Sequence, residues 1–226
     1  MSLQKLEIKM KRVWNWIWNS DSFLSWIVAL LIIFVLVKFI FFPVLSLIMG
    51  TSLPLAGVES SSMDHQIVGG NQASLNLCGK SYSKENKEPI DFNNYWDTCG
   101  SWYENKNINK ETFSRFSLKN GFAKGDIIIV WGRFTPKIGD VIIFKPNSES
   151  QAPRPIIHRI VSINENKIIQ TKGDHNQDQL TPSNNVYKTD ETNINPEQVI
   201  GKAIIKIPYL GWVKIGFTGI INLFFR

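Results

Sequence analysis

The sequence predicts a mainly β protein in which one N-terminal transmembrane helix is followed by an all-β domain carrying an inserted loop region. Two observations lead there. An almost wholly apolar run occupies residues 22–50, with Lys38 its only charge. After residue 120, short β-branched runs recur between Gly, Pro, Asn and Asp. At 226 residues, 43% hydrophobic and 19% charged, the chain has room for one domain with a core and an appendage, which excludes a disordered tail. The net charge of +6 is thinly spread and never forms a basic run, so no nucleic-acid partner is expected.

Residues 1–21 carry Lys5, Lys9, Lys11 and Arg12, and positive charge beside a span holds that end in the cytoplasm. Trp14, Trp16 and Trp18 fit either an interfacial belt or a short amphipathic helix packing on the anchor. The run at 22–50 exceeds the roughly 20 apolar residues that cross a bilayer. It is also too long for a cleaved secretory signal, whose apolar core runs about 7 to 15 residues. A permanent single-pass anchor in the cell membrane is therefore expected, with residues 51–226 on the extracytoplasmic side.

Residues 51–65, TSLPLAGVESSSMDH, read as a short linker entering a Ser cluster, and residues 66–120 as an inserted polar stretch dotted with Tyr95, Trp96, Trp102 and Tyr103. Cys78 and Cys99 lie in it and are the only cysteines; an oxidising compartment would allow one disulfide between them. Strands are expected within 125–132, 139–145, 154–163, 166–174 and 198–207. The apolar tail, residues 207–226, is broken by Gly211, Lys214, Gly216 and Gly219, which favours an interfacial or core-docked segment over a second span. Two cysteines are too few for a zinc site, and His65, His158 and His175 lack metal-motif spacing, so no metal is expected and nothing calls for a cofactor.

A serine becomes a nucleophile when a base takes its proton and fixed donors hold the oxyanion. Ser60, Ser61 and Ser62 stand in VESSSMDH, His158 in the strand PIIHRIV, and Asp174 in TKGDHNQDQ with Asp178 close behind. Each alone has a plainer role, as linker, strand wall or turn.

In this order after one anchor, the segments resemble the signal peptidase I family of membrane-anchored serine proteases, in its archaeal and endoplasmic-reticulum branch. The resemblance rests on the Ser-x-Ser-Met box ending at Met63, Gly125-Asp126 before a strand, Gly139-Asp140 leading into VIIFK, PIIHRIV around His158, TKGD ending at Asp174, VIGKA from Val199 and PYLG ending at Gly211. It implies a serine endopeptidase that removes signal peptides from exported preproteins after small residues, with accessory subunits left open. Ser62 would be the nucleophile, His158 the general base, and Ser60 a contributor to the oxyanion hole with the Ser62 backbone N–H. The bacterial branch places a Lys where His158 stands. The acid is open: counting along the family pattern lands on Leu180, so Asp178 is preferred and Asp174 is the alternative. Two rival readings remain, a noncatalytic anchored β-domain that binds partners and a sortase-like transpeptidase using Cys99.

Overall fold

In the computed structural model, residues 3–69, 75–83 and 90–210 are described. They fall into two units, Met1–Ile48 and Met49–Arg226.

The first unit is helical. Helix α1 (Leu3–Asn19) carries Trp14, Trp16 and Trp18 exposed, with the Trp14 and Trp18 rings 5.7 Å apart. Helix α2 (Phe23–Leu36) begins with its Ser25 hydroxyl donating to the carbonyls of Ser20 and Ser22, at 2.9 and 2.7 Å, which satisfies a polar group at the head of an apolar helix. A π-helical turn, Val37–Phe41, joins α2 to α3 (Phe42–Met49). Pro43 accounts for the turn: without an N–H it cannot continue the α-helical ladder, and the Phe42 N–H reaches back to the Val37 carbonyl instead. The helical run Phe23–Met49, 27 residues, is long and apolar enough to cross a membrane.

The second unit is built on a six-stranded antiparallel sheet ordered β1-β5-β9-β6-β7-β8, comprising β1 (Leu55–Gly57), β5 (Ile127–Trp131), β6 (Val141–Phe144), β7 (Ile156–Ile163), β8 (Ile169–Lys172) and β9 (Val199–Ile207). The last five of these lie within the segments where the sequence predicts strands. β6 lies inside the sheet and all its residues are buried: Val141 and Ile143 join one core with Val58, Met63, Phe122 and Ile128, while Ile142 and Phe144 join another with Ile160, Ile169 and Ile194. Alternation thus feeds two cores from one strand.

Residues 66–120 are more than a loop. They form the small sheet β2 (Val68–Gly69), β3 (Leu75–Leu77), β4 (Lys80–Tyr82) and two helices, α4 (Phe92–Glu104) and α5 (Lys110–Ser114). Asp91 caps α4 by accepting from the Asn93 and Asn94 amides at 2.8 and 3.2 Å. Tyr95, Cys99 and Tyr103 then line one buried face at helical spacing. They pack with Leu77, Trp96 and Phe113 into a third core that reaches Val161 of β7. The helix hides in the sequence because Asn, Gly, Thr and aromatic residues carry weak helix propensity, and burial decides in their favour. Residues 70–74 and 84–89 of the insertion, and 211–226 of the apolar tail, lie outside the described residues.

Candidate active site

The Ser cluster follows β1 directly. Val58 is tied to the strand opposite, its N–H donating to Asp126 O at 2.9 Å, and Met63, only 1% exposed, drops into the core and turns the chain. Between these two anchors Ser62 is held at the surface. Its Oγ lies 2.8 Å from His158 Nε2 and 3.1 Å from Ser60 Oγ. His158 sits on β7, opposite Ile142 of the buried strand β6, and is itself buried.

The other imidazole nitrogen, Nδ1, meets the carboxylate of Glu191. Glu191 is fully buried, and both its oxygens are engaged: Oε1 also accepts from the Thr171 hydroxyl at 2.8 Å, and Oε2 from the Leu180 amide at 2.7 Å. The segment around it runs along β8, where the Thr171 amide donates to Glu191 O at 2.9 Å and Ile194 bridges Ile169. Backbone pairing with a strand therefore fixes the carboxylate behind the histidine. Sequence reasoning missed Glu191, which sits 33 residues from His158 in an irregular stretch holding Asp174, Asp178, Asp190 and Glu197. No spacing singles it out.

The two acids proposed from the sequence stand elsewhere. Asp178 is exposed and accepts from Trp102 Nε1 and the Gln179 amide, at 2.9 and 2.8 Å. Asp174 is buried against Arg159, whose Nε and one terminal nitrogen donate to its two carboxylate oxygens at 2.9 and 2.7 Å. The other N–H groups of Arg159 go to the carbonyls of Ser117, Leu118 and Gly139, so a wholly buried guanidinium is left with no unmet donor. Tyr103 Oη and His65 Nε2 complete the shell of Asp174, at 3.0 and 3.3 Å. Burial works to raise this carboxyl, but Arg159 and the His65 hydrogen bond override it and hold Asp174 well below the usual carboxylate range. His65, close to Ser62 in sequence, stacks on Tyr95 at 3.6 Å and bonds Asp174. His175 bonds the Asp64 carbonyl through Nδ1 at 3.0 Å.

The loop after β8 presses on the serine and histidine from below. The His175 amide donates to Ser62 O at 2.9 Å, and a Cβ at Gly173 would stand 2.7 Å from Ser62 O and 2.8 Å from His158 Nε2. Gly173→Ala is therefore expected to lower any Ser62-dependent turnover by about 100-fold, the scale of a displacement of about 1 Å at reacting atoms. Turnover within a factor of about three of wild type would show that the contact is slack. Lys172, just before it, is fully buried, with Nζ 3.0 Å from Gly173 O and 5.1 Å from the ring centroids of both Trp102 and Tyr103. Burial pushes its ammonium down to about 8, against the pull of Asp174 and Glu191.

Ser62 and His158 open onto a cleft of about 670 Å³. One wall is β1 with the residues after it, including Leu55, Ala56 and Val58, and the other is the segment from Pro153 to Ile157. Glu59 and Arg154 form an ion pair between these two lining segments. Among the described residues, none of the insertion lines the cleft. Cys99, the candidate for a cysteine nucleophile, is bonded to Cys78 and is 1% exposed.

No family profile matches the chain. Among curated proteins, the signal peptidase complex catalytic subunit of Candida tropicalis is 30% identical over 116 residues, covering 49% of this chain and 64% of that protein. Over about half of its length the chain is homologous to signal peptidase catalytic subunits. The Candida albicans subunit matches to the same extent, and that of Colletotrichum graminicola is 27% identical over 124 residues, 47% of this chain and 68% of the relative. The chain thus spans a little under two thirds of the length of the Candida signal peptidase subunits.

Proposed function

We propose that the chain is a membrane-anchored serine endopeptidase of the signal peptidase I type, removing N-terminal signal peptides from exported preproteins after small residues. The observation that carries this reading is the Ser62–His158 hydrogen bond of 2.8 Å at the floor of a cleft, with Glu191 on the far nitrogen of the imidazole. The catalytic names of its relatives point the same way.

In this mechanism the Glu191 carboxylate accepts a hydrogen bond from the Nδ1–H of His158, which holds the tautomer whose Nε2 is free to accept from Ser62. As Ser62 Oγ attacks the scissile carbonyl carbon, its proton passes to Nε2 and the carbonyl π electrons move onto oxygen. The Ser62 N–H and the Ser60 hydroxyl are the donors assigned to that oxyanion, and a donor of this kind is worth on the order of 100-fold in rate. The imidazolium then protonates the departing amine as the C–N bond breaks. Water, deprotonated by His158, releases the acyl group from Ser62. Apart from the hydrolytic water, each of these steps uses groups that the chain itself supplies.

The substrate would enter extended along β1, which pairs with β5 on one side and ends the sheet on the other. Strand addition supplies main-chain hydrogen bonds, and shallow walls such as Ala56 and Val58 leave room for small side chains. The apolar run Phe23–Met49 would serve as a single-pass anchor in the cell membrane, with the β unit on the extracytoplasmic side, and Ser62 follows it by only about a dozen residues. The relatives are subunits of a complex by name, so accessory subunits are part of this proposal.

The test is cleavage of a reporter preprotein by the detergent-solubilised full chain. Wild type is expected to make one defined cut, and Ser62→Ala and His158→Ala are each expected to lose about 10⁴-fold or more in kcat. A Ser62→Ala variant that still cuts would remove the nucleophile and the reading with it.

A further inference from the structure

Among the described residues the insertion does not line the cleft, yet it touches the loop that supports the nucleophile at several successive positions. From the β3–β4 turn, the Cys78 amide donates to His175 O at 2.9 Å, and Gly79, at φ +80°, lies against the Gln177 side chain. From α4, Tyr95 Oη donates to Asp174 O at 2.9 Å, Tyr103 Oη to Asp174 Oδ1 at 3.0 Å and Trp102 Nε1 to Asp178 Oδ1 at 2.9 Å. The same loop, on its other side, holds Ser62 through the His175 amide and meets His158 at Gly173. The two arms of this grip are joined by one covalent bond, between Cys78 on the turn and Cys99 on α4. Cys99 sits midway between Tyr95 and Tyr103, and all three are buried.

We propose that the insertion is a positioning element of the active site, acting through the Cys78–Cys99 disulfide and the Tyr103 and Trp102 hydrogen bonds to set the loop beneath Ser62 and His158. This rests on the peptidase reading above and assigns a role to residues outside the cleft. The bond makes that positioning depend on redox state. A dithiol reductant delivers two electrons to the S–S bond, which becomes two cysteine thiols, while the reductant closes to its own disulfide. The turn and the helix then keep only their noncovalent contacts, and the hydrogen bonds to His175, Asp174 and Asp178 lose their covalent frame.

The experiment compares the oxidised full chain, the chain reduced with dithiothreitol, and the variants Cys78→Ser/Cys99→Ser, Tyr103→Phe and Trp102→Phe. All are measured well below their unfolding midpoints. The expected result is a fall in kcat of about tenfold for the reduced chain and the double Ser variant, with KM within about twofold. Reoxidation restores the wild type and leaves the double variant unchanged. Tyr103→Phe and Trp102→Phe keep the disulfide and lower kcat in the same direction, so they decide the question if the double variant does not fold. A second readout needs no activity: amide hydrogen exchange of residues 173–180 is expected to speed up at least tenfold on reduction. A kcat and an exchange rate both within about twofold of the oxidised protein would overturn the inference. Faster exchange in a chain that never cleaves would instead uphold the positioning and count against the peptidase reading.

Discussion

Glu191→Gln is expected to lower kcat by about 10³-fold or more while leaving the fold intact. An amide in place of this carboxylate has two orientations, and both fail. With its oxygen toward His158 and Thr171, its NH₂ faces the Leu180 amide, which now donates at 2.7 Å to Glu191 Oε2. With its NH₂ toward His158, the imidazole must accept at Nδ1 and carry its proton on Nε2, where it can no longer take one from Ser62. Asp178→Asn, by contrast, alters a carboxylate that is exposed and whose partners are Trp102 and Gln179. It keeps an acceptor for Trp102, and kcat is expected within about threefold of wild type. Steady-state kinetics on the two variants settle which acid serves the histidine. A crippled Asp178→Asn beside an active Glu191→Gln would reverse the assignment.

The largest stability loss is expected from Asp174→Ala. It strands the guanidinium of Arg159, 0% exposed, with its Nε–H and one terminal N–H left without their acceptor. Removing one partner of a buried pair costs about 3–5 kcal/mol, which for a domain of this size lowers Tm by about 10–15 °C. Calorimetry or circular dichroism reads this directly, and a Tm within about 3 °C of wild type would show that water or a neighbour relieves the charge. The same carboxylate predicts an acid limb. Because Asp174 is held below the usual carboxylate range, its contribution is fully present above about pH 4 and is lost as the pH falls from there toward the depressed value.

Much of this was legible in the sequence because it depends on local pattern. The five long strands declare themselves through β-branched runs between turn residues, and the helix at Phe23–Met49 through length and hydropathy. Ser62 and His158 could be named because each sits in a compact motif, and the structure brings them to 2.8 Å. What was not legible depends on contacts across long loops. β1 is three residues, LAG, too short to separate from a linker, and becomes a strand only by pairing with Ile127, Ile128 and Ile129. Glu191 reaches His158 because its backbone pairs with Thr171, a register that no periodicity encodes. Helix α4 has the right spacing at Tyr95, Cys99 and Tyr103, but its composition argues against it until a core exists to receive those rings.

Among the described residues β1 ends the sheet, and this edge also bears on how copies of this protein avoid one another. A sheet that keeps one edge free to receive an extended chain offers that edge to any strand, including the same strand of a second molecule, and continuous edge pairing is a route to aggregation. Here the liability is contained by brevity and charge. Three residues give too few main-chain bonds to hold two sheets together, and the Glu59–Arg154 ion pair stands just past the end of the strand, where a longer pairing would have to strip it of water. Lengthening β1 with apolar residues would be expected to trade solubility for tighter binding.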